Sequence, residues 1–296
     1  MEEIKYGWWL PPDISTHGWE IDRLIYIIHG VMLVLFVGWI FFYIDALIRF
    51  RARPGHKAQY KIDHFKLPKI AEVGVALFEA VLLIAFSFPV FYKVRNAEAM
   101  PARGEALEVR VIAEQFAWNF HYPGGDSLFG KTAPELVSAV NPVGLDVNDP
   151  AGKDDLVMIN QFHIPVNKPV IAHLSSKDVI HSFFIPVMRV KQDVIPGMVV
   201  PTWFQAKQTG NFEISCAQLC GLGHYRMRGF FTVDSEEDFK KWFDENKPVP
   251  PAPEPAAGET ETQPVVAVAQ AAPAPAAVTT TEGLPGVDPG EPASAH

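Results

Sequence analysis

Cysteine is the scarcest reactive residue in this chain of 296 residues: there are two, Cys216 and Cys220. Two thiols exclude the multi-bridge framework that staples small secreted domains, and with no Cys-x-x-Cys-His string there is no site for covalent haem. Basic charge is also short. The 25 Lys and Arg face 34 Asp and Glu, a formal net charge of -9, which argues against a nucleic-acid partner and its concentrated basic face. An acidic exposed domain suits a basic protein partner. No internal repeat is visible, and the composition shifts along the chain in the manner of a modular protein rather than one globule.

Polar residues are missing from two stretches. From Leu24 to Ile44 (LIYIIHGVMLVLFVGWIFFYI) only His29 is strongly polar, and from Val73 to Tyr92 (VGVALFEAVLLIAFSFPVFY) only Glu79 is ionisable. As helices, each reaches about 30 Å, the thickness of a bilayer's hydrocarbon. Buried core helices seldom stay apolar on every face for this length. A cleaved signal peptide is disfavoured by the acidic N-terminus (Glu2, Glu3, Asp13, Glu20) and by the second run behind it. The expected spans are residues 24–48 and 71–95, joined by a cationic loop, 49–70, in which Arg49, Arg51, Arg53, Lys57, Lys61, Lys66 and Lys69 face one acid, Asp63. Cationic loops stay cytoplasmic. Segment 1–23 and everything after the second span are therefore expected on the outer face, the periplasm if the membrane is a bacterial inner membrane.

Residues 105–246 change to short β-rich stretches (LEVRVIAEQFAWNFHY, DLVMINQFHIPV, PVIAHLSS, VIHSFFIP, PTWFQA, NFEIS, GFFTV) parted by Pro, Gly and Asn/Asp turns. That pattern predicts a sandwich or barrel. Residues 123–155 are polar and rich in Gly, Pro and Asp, a surface insertion that serves either as a docking surface or as decoration. Residues 247–296 form a Pro/Ala/Thr/Glu tract too poor in bulky apolar groups to fold alone, and disorder is expected there.

Four soft or borderline donors crowd the segment CAQLCGLGHYRM: Cys216, Cys220, His224 and Met227. Thiolate, imidazole and thioether together favour copper over hard cations, and the thioether argues against zinc. A mononuclear blue-copper site needs one cysteine, so the second is surplus. Two thiolates bridging a pair of coppers, with one imidazole for each, account for it. The second imidazole is best supplied by His181, at the end of the predicted strand in DVIHSFFIP. A disulfide between the cysteines, or a closed zinc site, are the alternatives. The disulfide leaves His224 and Met227 without a purpose in a glycine-rich loop. His163 and His173 lie in strand-like runs and read as core or surface histidines, and His121 is open between the two.

Three strings together, CAQLCGLGHYRM, SSKDVIHSFFIPVMRVKQDVIPGM from Ser175 and AEQFAWNFHYPG from Ala113, resemble subunit II of cytochrome c oxidases, the copper-carrying subunit of haem-copper oxidases. The likeness runs from about Asp13 to Phe243. It implies a mainly β, cupredoxin-like Greek-key domain preceded by an antiparallel two-helix transmembrane hairpin. It also implies a dinuclear copper centre, CuA, with Cys216 and Cys220 as bridging thiolates, His181 and His224 as terminal imidazoles, Met227 as the axial thioether of one copper and the backbone carbonyl of Gln218 as the remaining weak ligand. The implied role is electron entry into a respiratory oxygen reductase. Single electrons pass from a periplasmic donor (cytochrome c or a donor complex) to haem in subunit I, coupled to oxygen reduction and proton translocation. Oxygen chemistry belongs to the partner, and other oxidase subunits and membrane lipid complete the surroundings.

Two residues depart from the family pattern. Gln218 stands where a glutamate commonly helps hold magnesium at the contact with subunit I, and a neutral amide binds magnesium less well than a carboxylate. Phe116 stands where many members have an electron-accepting tryptophan, while Trp118 keeps the second aromatic position; both are electron-entry candidates. Glu72, seventeen residues before Pro89, has the family's spacing for a proton-pathway glutamate, and an interfacial acid that snorkels to water is the competing reading. Glu79 has no family role.

Overall fold

The computed structural model describes residues 9–57, 66–102 and 104–248. The expected disordered tail lies outside the described residues beyond 248, as do residues 1–8 and most of the cationic loop. Two apolar helices come first. Helix α1 (Gly18–Arg49) begins six residues before the expected Leu24, because its first turn belongs to a junction with the β domain: Gly18 and Glu20 are buried, and Glu20 pairs with Lys93. The second span is built from α2 (Leu67–Leu82), a π-helical turn at Leu83–Ser87, and α3 (Phe88–Arg95). It too starts earlier than expected, with Pro68 in the first turn, where a missing N–H leaves no bond unmade. The wide turn comes just before Pro89, where the ring would otherwise clash with the preceding turn. Both helices are long and apolar enough to cross a membrane. Phe36, Trp39, Phe41, Leu77 and Ile84 are exposed on them, which a water-soluble helix would not tolerate all round.

The β domain has two five-stranded sheets. One is ordered β3 (Leu156–Ile159), β2 (Ala117–Tyr122), β1 (Leu107–Glu114), β5 (Pro169–Ser176), β8 (Val200–Gln205). The other is ordered β4 (Gln161–Pro165), β10 (Arg228–Asp234), β9 (Gly210–Cys216), β6 (His181–Ile185), β7 (Val190–Val194). The β1/β5 and β10/β4 pairs are parallel and the rest antiparallel, a mixed, Greek-key arrangement of the cupredoxin kind. Period-two alternation makes the core: β1 buries Val109, Val111 and Ala113, and β10 buries Phe231 and Val233. Trp118, Phe120, Phe162, Phe183, Phe204 and Phe231 fill the space between the sheets, with Phe120 and Phe162 stacked at 4.6 Å.

The stretch expected as one β run from Leu107 is a hairpin that turns at Gln115 and Phe116. The insertion carries two 3-10 turns and one bridge, Thr132 to Leu145. It is pinned at its base by Asp155, which accepts from His121 Nε2 (2.6 Å) and from the backbone N–H groups of Gly124 and Gly130. A short helix not foreseen from the sequence, α4 (Glu236–Asn246), follows the last strand; Ser235 caps it by accepting from Asp238 N–H. Phe239, Trp242 and Phe243 pack it on the core.

One contact set fixes the domain to the hairpin. The Arg189 guanidinium meets both Asp22 oxygens at 2.6 and 2.8 Å and donates to the carbonyls of Pro11 and Pro186. Arg95, at the end of α3, donates to Thr202 Oγ1 and the Lys191 carbonyl.

Candidate metal centre

Strand register brings the donors together. Strand β9 buries Phe212, Ile214 and Cys216 in alternation, so Cys216 is its last inward position. Phe183 of β6 stands opposite Cys216, and His181, two residues earlier and on the same face, opens β6 beside the thiol. His181 therefore begins its strand rather than ending one. The chain leaves β9 after Cys216, loops outward, and returns at Met227, whose carbonyl accepts from Cys216 N–H at 3.1 Å. Two glycines let the loop lie against the β1–β2 turn. A Cβ on Gly223 would come 2.5 Å from the Phe116 ring; one on Gly221, at φ +136°, would come 2.6 Å from Gln115 Nε2. Gln115 uses that amide to hold the Cys220 carbonyl.

The cysteines are free, with their sulfurs 3.8 Å apart, nearly twice the ~2.05 Å of a disulfide. His181 Nδ1 is 3.9 Å from Cys216 Sγ, and His224 Nδ1 is 3.6 Å and Met227 Sδ 3.7 Å from Cys220 Sγ. The Gln218 carbonyl oxygen is 3.1 Å from Cys216 Sγ. His181, Cys216, Cys220 and Met227 are buried, while His224 reaches the surface. Every expected copper donor is thus in one cluster, and the donor atoms of His181, Cys216 and Cys220 lie within 4.8 Å of one another. Two thiols, two imidazoles, a thioether and a carbonyl in a water-poor pocket fit copper.

Electrostatics divides the two thiols. Burial opposes ionisation of Cys216, but hydrogen bonds from His181 and from the Ser182 backbone outweigh it and lower its pKa to about 6. Burial and the neighbouring Cys216 push Cys220 up to about 12. Burial likewise works against a charged His181, yet its bonds to Cys216 and Asp178 raise it. Asp178 was not foreseen from the sequence. Its Oδ1 accepts from His181 Nε2 at 2.8 Å and its Oδ2 from Gln115 N–H at 2.7 Å, and despite partial burial these bonds hold its carboxyl below the usual range. With Nε2 donating, Nδ1 keeps its lone pair toward the sulfurs. The available signal was an acid three residues before the histidine in KDVIHS.

The remaining candidates lie apart from the cluster or around it. Phe116 is half-buried over the loop, whereas Trp118 is fully buried with its ring 6.2 Å from that of His181. The Gln218 side chain is exposed. Glu72 is exposed on α2, at the end of the second span away from the β domain. His121 pairs with Asp155, His163 with Asp234 and His173 with Glu108, so each is structurally engaged away from the metal donors.

Residues 107–232 match the family model for the periplasmic domain of cytochrome c oxidase subunit II. An alternative cytochrome c oxidase subunit 2 of Bradyrhizobium diazoefficiens is 35% identical over 241 residues, covering 81% of this chain and 84% of the relative. The chain belongs to the cytochrome c oxidase subunit 2 family. Cytochrome c oxidase subunit 2 of Cereibacter sphaeroides is 28% identical over 248 residues, 78% of this chain and 77% of that one. A crystal structure of the periplasmic domain of subunit II of the Bradyrhizobium japonicum cytochrome oxidase, 28% identical, covers 50% of this chain and 96% of that domain at a TM-score of 0.37.

Proposed function

We propose that this chain is the electron-entry subunit of a respiratory haem-copper oxidase, with a dinuclear copper centre at His181, Cys216, Gln218, Cys220, His224 and Met227. The observation that carries the reading is the pair of unbonded, buried thiols 3.8 Å apart, flanked by an imidazole on either side. Bound there, two coppers sharing an electron supply one-electron transfer with little change of geometry. The chain's own residues keep that geometry fixed. Asp178 locks His181, Gln115 holds the loop at Cys220, and Phe116 stacks over Gly223. His224, the half-exposed ligand, and Phe116 beside it are the natural point of arrival for electrons from a separate periplasmic donor; Trp118 acts from inside, as a wall against His181.

The cationic loop supports an orientation with that loop in the cytoplasm and both the N-terminus and the copper domain in the periplasm. Glu72 is then at the cytoplasmic end of the second span, where a proton pathway into subunit I would open. Magnesium at the subunit I contact is disfavoured by the neutral Gln218 side chain.

The test is the visible and EPR spectrum of the full chain, purified in mild detergent and loaded with copper. A purple, multiline mixed-valence spectrum is expected, collapsing to a mononuclear or silent one in Cys220→Ser. A blue mononuclear spectrum in the unsubstituted chain, or two coloured coppers retained in the variant, would refute the bridged pair.

A further inference from the structure

Where the hairpin meets the β domain there is a cleft of about 200 Å³ lined by His17, Leu24, Phe91, Arg95, Thr202 and Trp203, among others. A second cleft, about 220 Å³, lies between the two spans and is lined by Leu24, Ile28, Glu79, Leu82, Phe86 and Ser87. The two share Leu24 and Ser87. They make one groove that runs from the membrane surface down between the helices, and the π turn at Leu83–Ser87 forms part of its wall.

Its two ends differ chemically. The upper end holds a guanidinium without an acid and two unpartnered ring nitrogens. Arg95 bonds only neutral oxygens, those of Gln192, Thr202 and Lys191, and among the described residues no carboxylate lies within ion-pair reach of it. Lys93 and Arg189, by contrast, each have an acid, Glu20 and Asp22. His17 is 93% buried, with 7% exposure, and its Nδ1 has no partner; Trp203 Nε1 is likewise buried and unpaired. Below them the wall is aliphatic and aromatic apart from Ser87 and Glu79. Buried polar atoms without partners call for a ligand or an explanation, and an unpaired guanidinium calls for an anion.

We propose that this groove holds one anionic phospholipid, its phosphate at Arg95, His17 and Trp203 and one acyl chain lying along Leu24, Phe91 and Phe86. From Arg95 down to Leu82 the span rises about 20 Å, more than the ~15 Å that one leaflet's hydrocarbon requires. The inference rests on the two helices lying in a bilayer, as proposed above. A lipid seated here would tie the hairpin to the copper domain on the side where Arg95 already grips β7 and β8.

The experiment uses the full chain in nanodiscs of phosphatidylcholine, doped with spin-labelled phosphatidylglycerol or spin-labelled phosphatidylcholine. The readout is the motionally restricted fraction of each label. The unsubstituted chain is expected to restrict phosphatidylglycerol preferentially. Arg95→Gln should lower that preference about tenfold, the loss of a charge-assisted contact. Leu24→Trp, which fills the groove and leaves Arg95 in place, should abolish it even if Arg95→Gln loosens the junction. Equal restriction of both labels in the unsubstituted chain, or unchanged preference in Leu24→Trp, overturns the site while leaving the membrane reading intact. Displacement of the label by inorganic phosphate overturns the lipid in favour of a free anion. A chain that stays dispersed without detergent or lipid fails the membrane reading itself.

Discussion

Replacing Asp178 by Asn removes a charge while keeping the size of the side chain, and its consequence can be followed atom by atom. In the native arrangement one carboxylate oxygen accepts from His181 Nε2 and from Val179 N–H, and the other accepts from Gln115 N–H. An amide offers one acceptor and one donor. If its oxygen stays on His181, its NH2 confronts Gln115 N–H and the β1–β2 turn that supports the loop from Cys216 to Met227 loses its anchor. If its NH2 turns to His181, Nε2 must accept, the proton moves to Nδ1, and the nitrogen facing Cys216 can no longer bind metal. Loss of such an orienting partner costs 10- to 100-fold in metal affinity, about 1.4–2.7 kcal/mol. Asp178→Ala leaves the imidazole free to choose its tautomer, and because the Asp178 side chain retains 31% exposure, water takes over part of the lost bonding. The alanine variant should therefore sit near the tenfold end and the asparagine variant near the hundredfold end. Copper affinity, measured on the full chain in detergent by competition with a chelator, gives the order. Equal affinity in all three proteins, with circular dichroism unchanged, would refute the claim that Asp178 sets the tautomer.

Arg189→Met leaves Asp22 without its partner at a site where the two side chains are only 8% and 15% exposed; a loss of about 3–5 kcal/mol is expected in thermal unfolding, and a loss under 1 kcal/mol would show the junction to be dispensable. Gly223→Ala drives a methyl into the Phe116 ring and should weaken copper binding, with Phe116→Leu in the same chain restoring part of it; an innocuous Gly223→Ala would mean the loop is free to move. In the metal-free chain, Cys216 has a folded pKa lowered to about 6 from 9.0, so its stabilising contribution is present above pH 9 and is lost as pH falls through 6. The raised Cys220, about 12 in the fold, stays neutral in both states below about pH 8 and adds no slope there. Between pH 8 and pH 6 the apparent Tm should accordingly fall more than in Cys216→Ala, and parallel curves would argue against a Cys216 thiolate.

The cluster of candidate metal donors was legible because four of them share one short segment, where residue type alone restricts the chemistry. His181 was reachable because a second imidazole was needed and the string DVIHSFFIP set one at the end of a predicted strand. The supporting residues were not, because their roles depend on register and turn geometry: Asp178 and Gln115 meet only when the β1–β2 turn folds over the loop. For the same reason the sequence showed one β run where there is a hairpin, and a span beginning at Leu24 where the helix begins at Gly18. Hydropathy marks the part of a helix that lies in lipid; the turn before it, where Glu20 meets Lys93, is amphipathic and carries no such mark. Helix α4 escaped notice because its apolar residues, Phe239, Trp242 and Phe243, are few and its remaining face is charged.

The two departures from the family pattern have different structural weight. Gln218 contributes its carbonyl oxygen to the cluster, and any residue can supply that atom, so the change reaches only the exposed side chain. Phe116 is different, since its ring is packed against Gly223 and cannot change size without moving the segment that carries His224. A larger indole at 116 would press on a loop that already leaves no room for a Cβ. Phenylalanine there is part of how this loop is packed, and beside it Leu222 and Tyr225 are 95% and 82% exposed. A donor of the kind proposed above, docking over such an apolar rim, would be recognised there by shape and water exclusion, a contact less dependent on ionic strength than a ring of carboxylates.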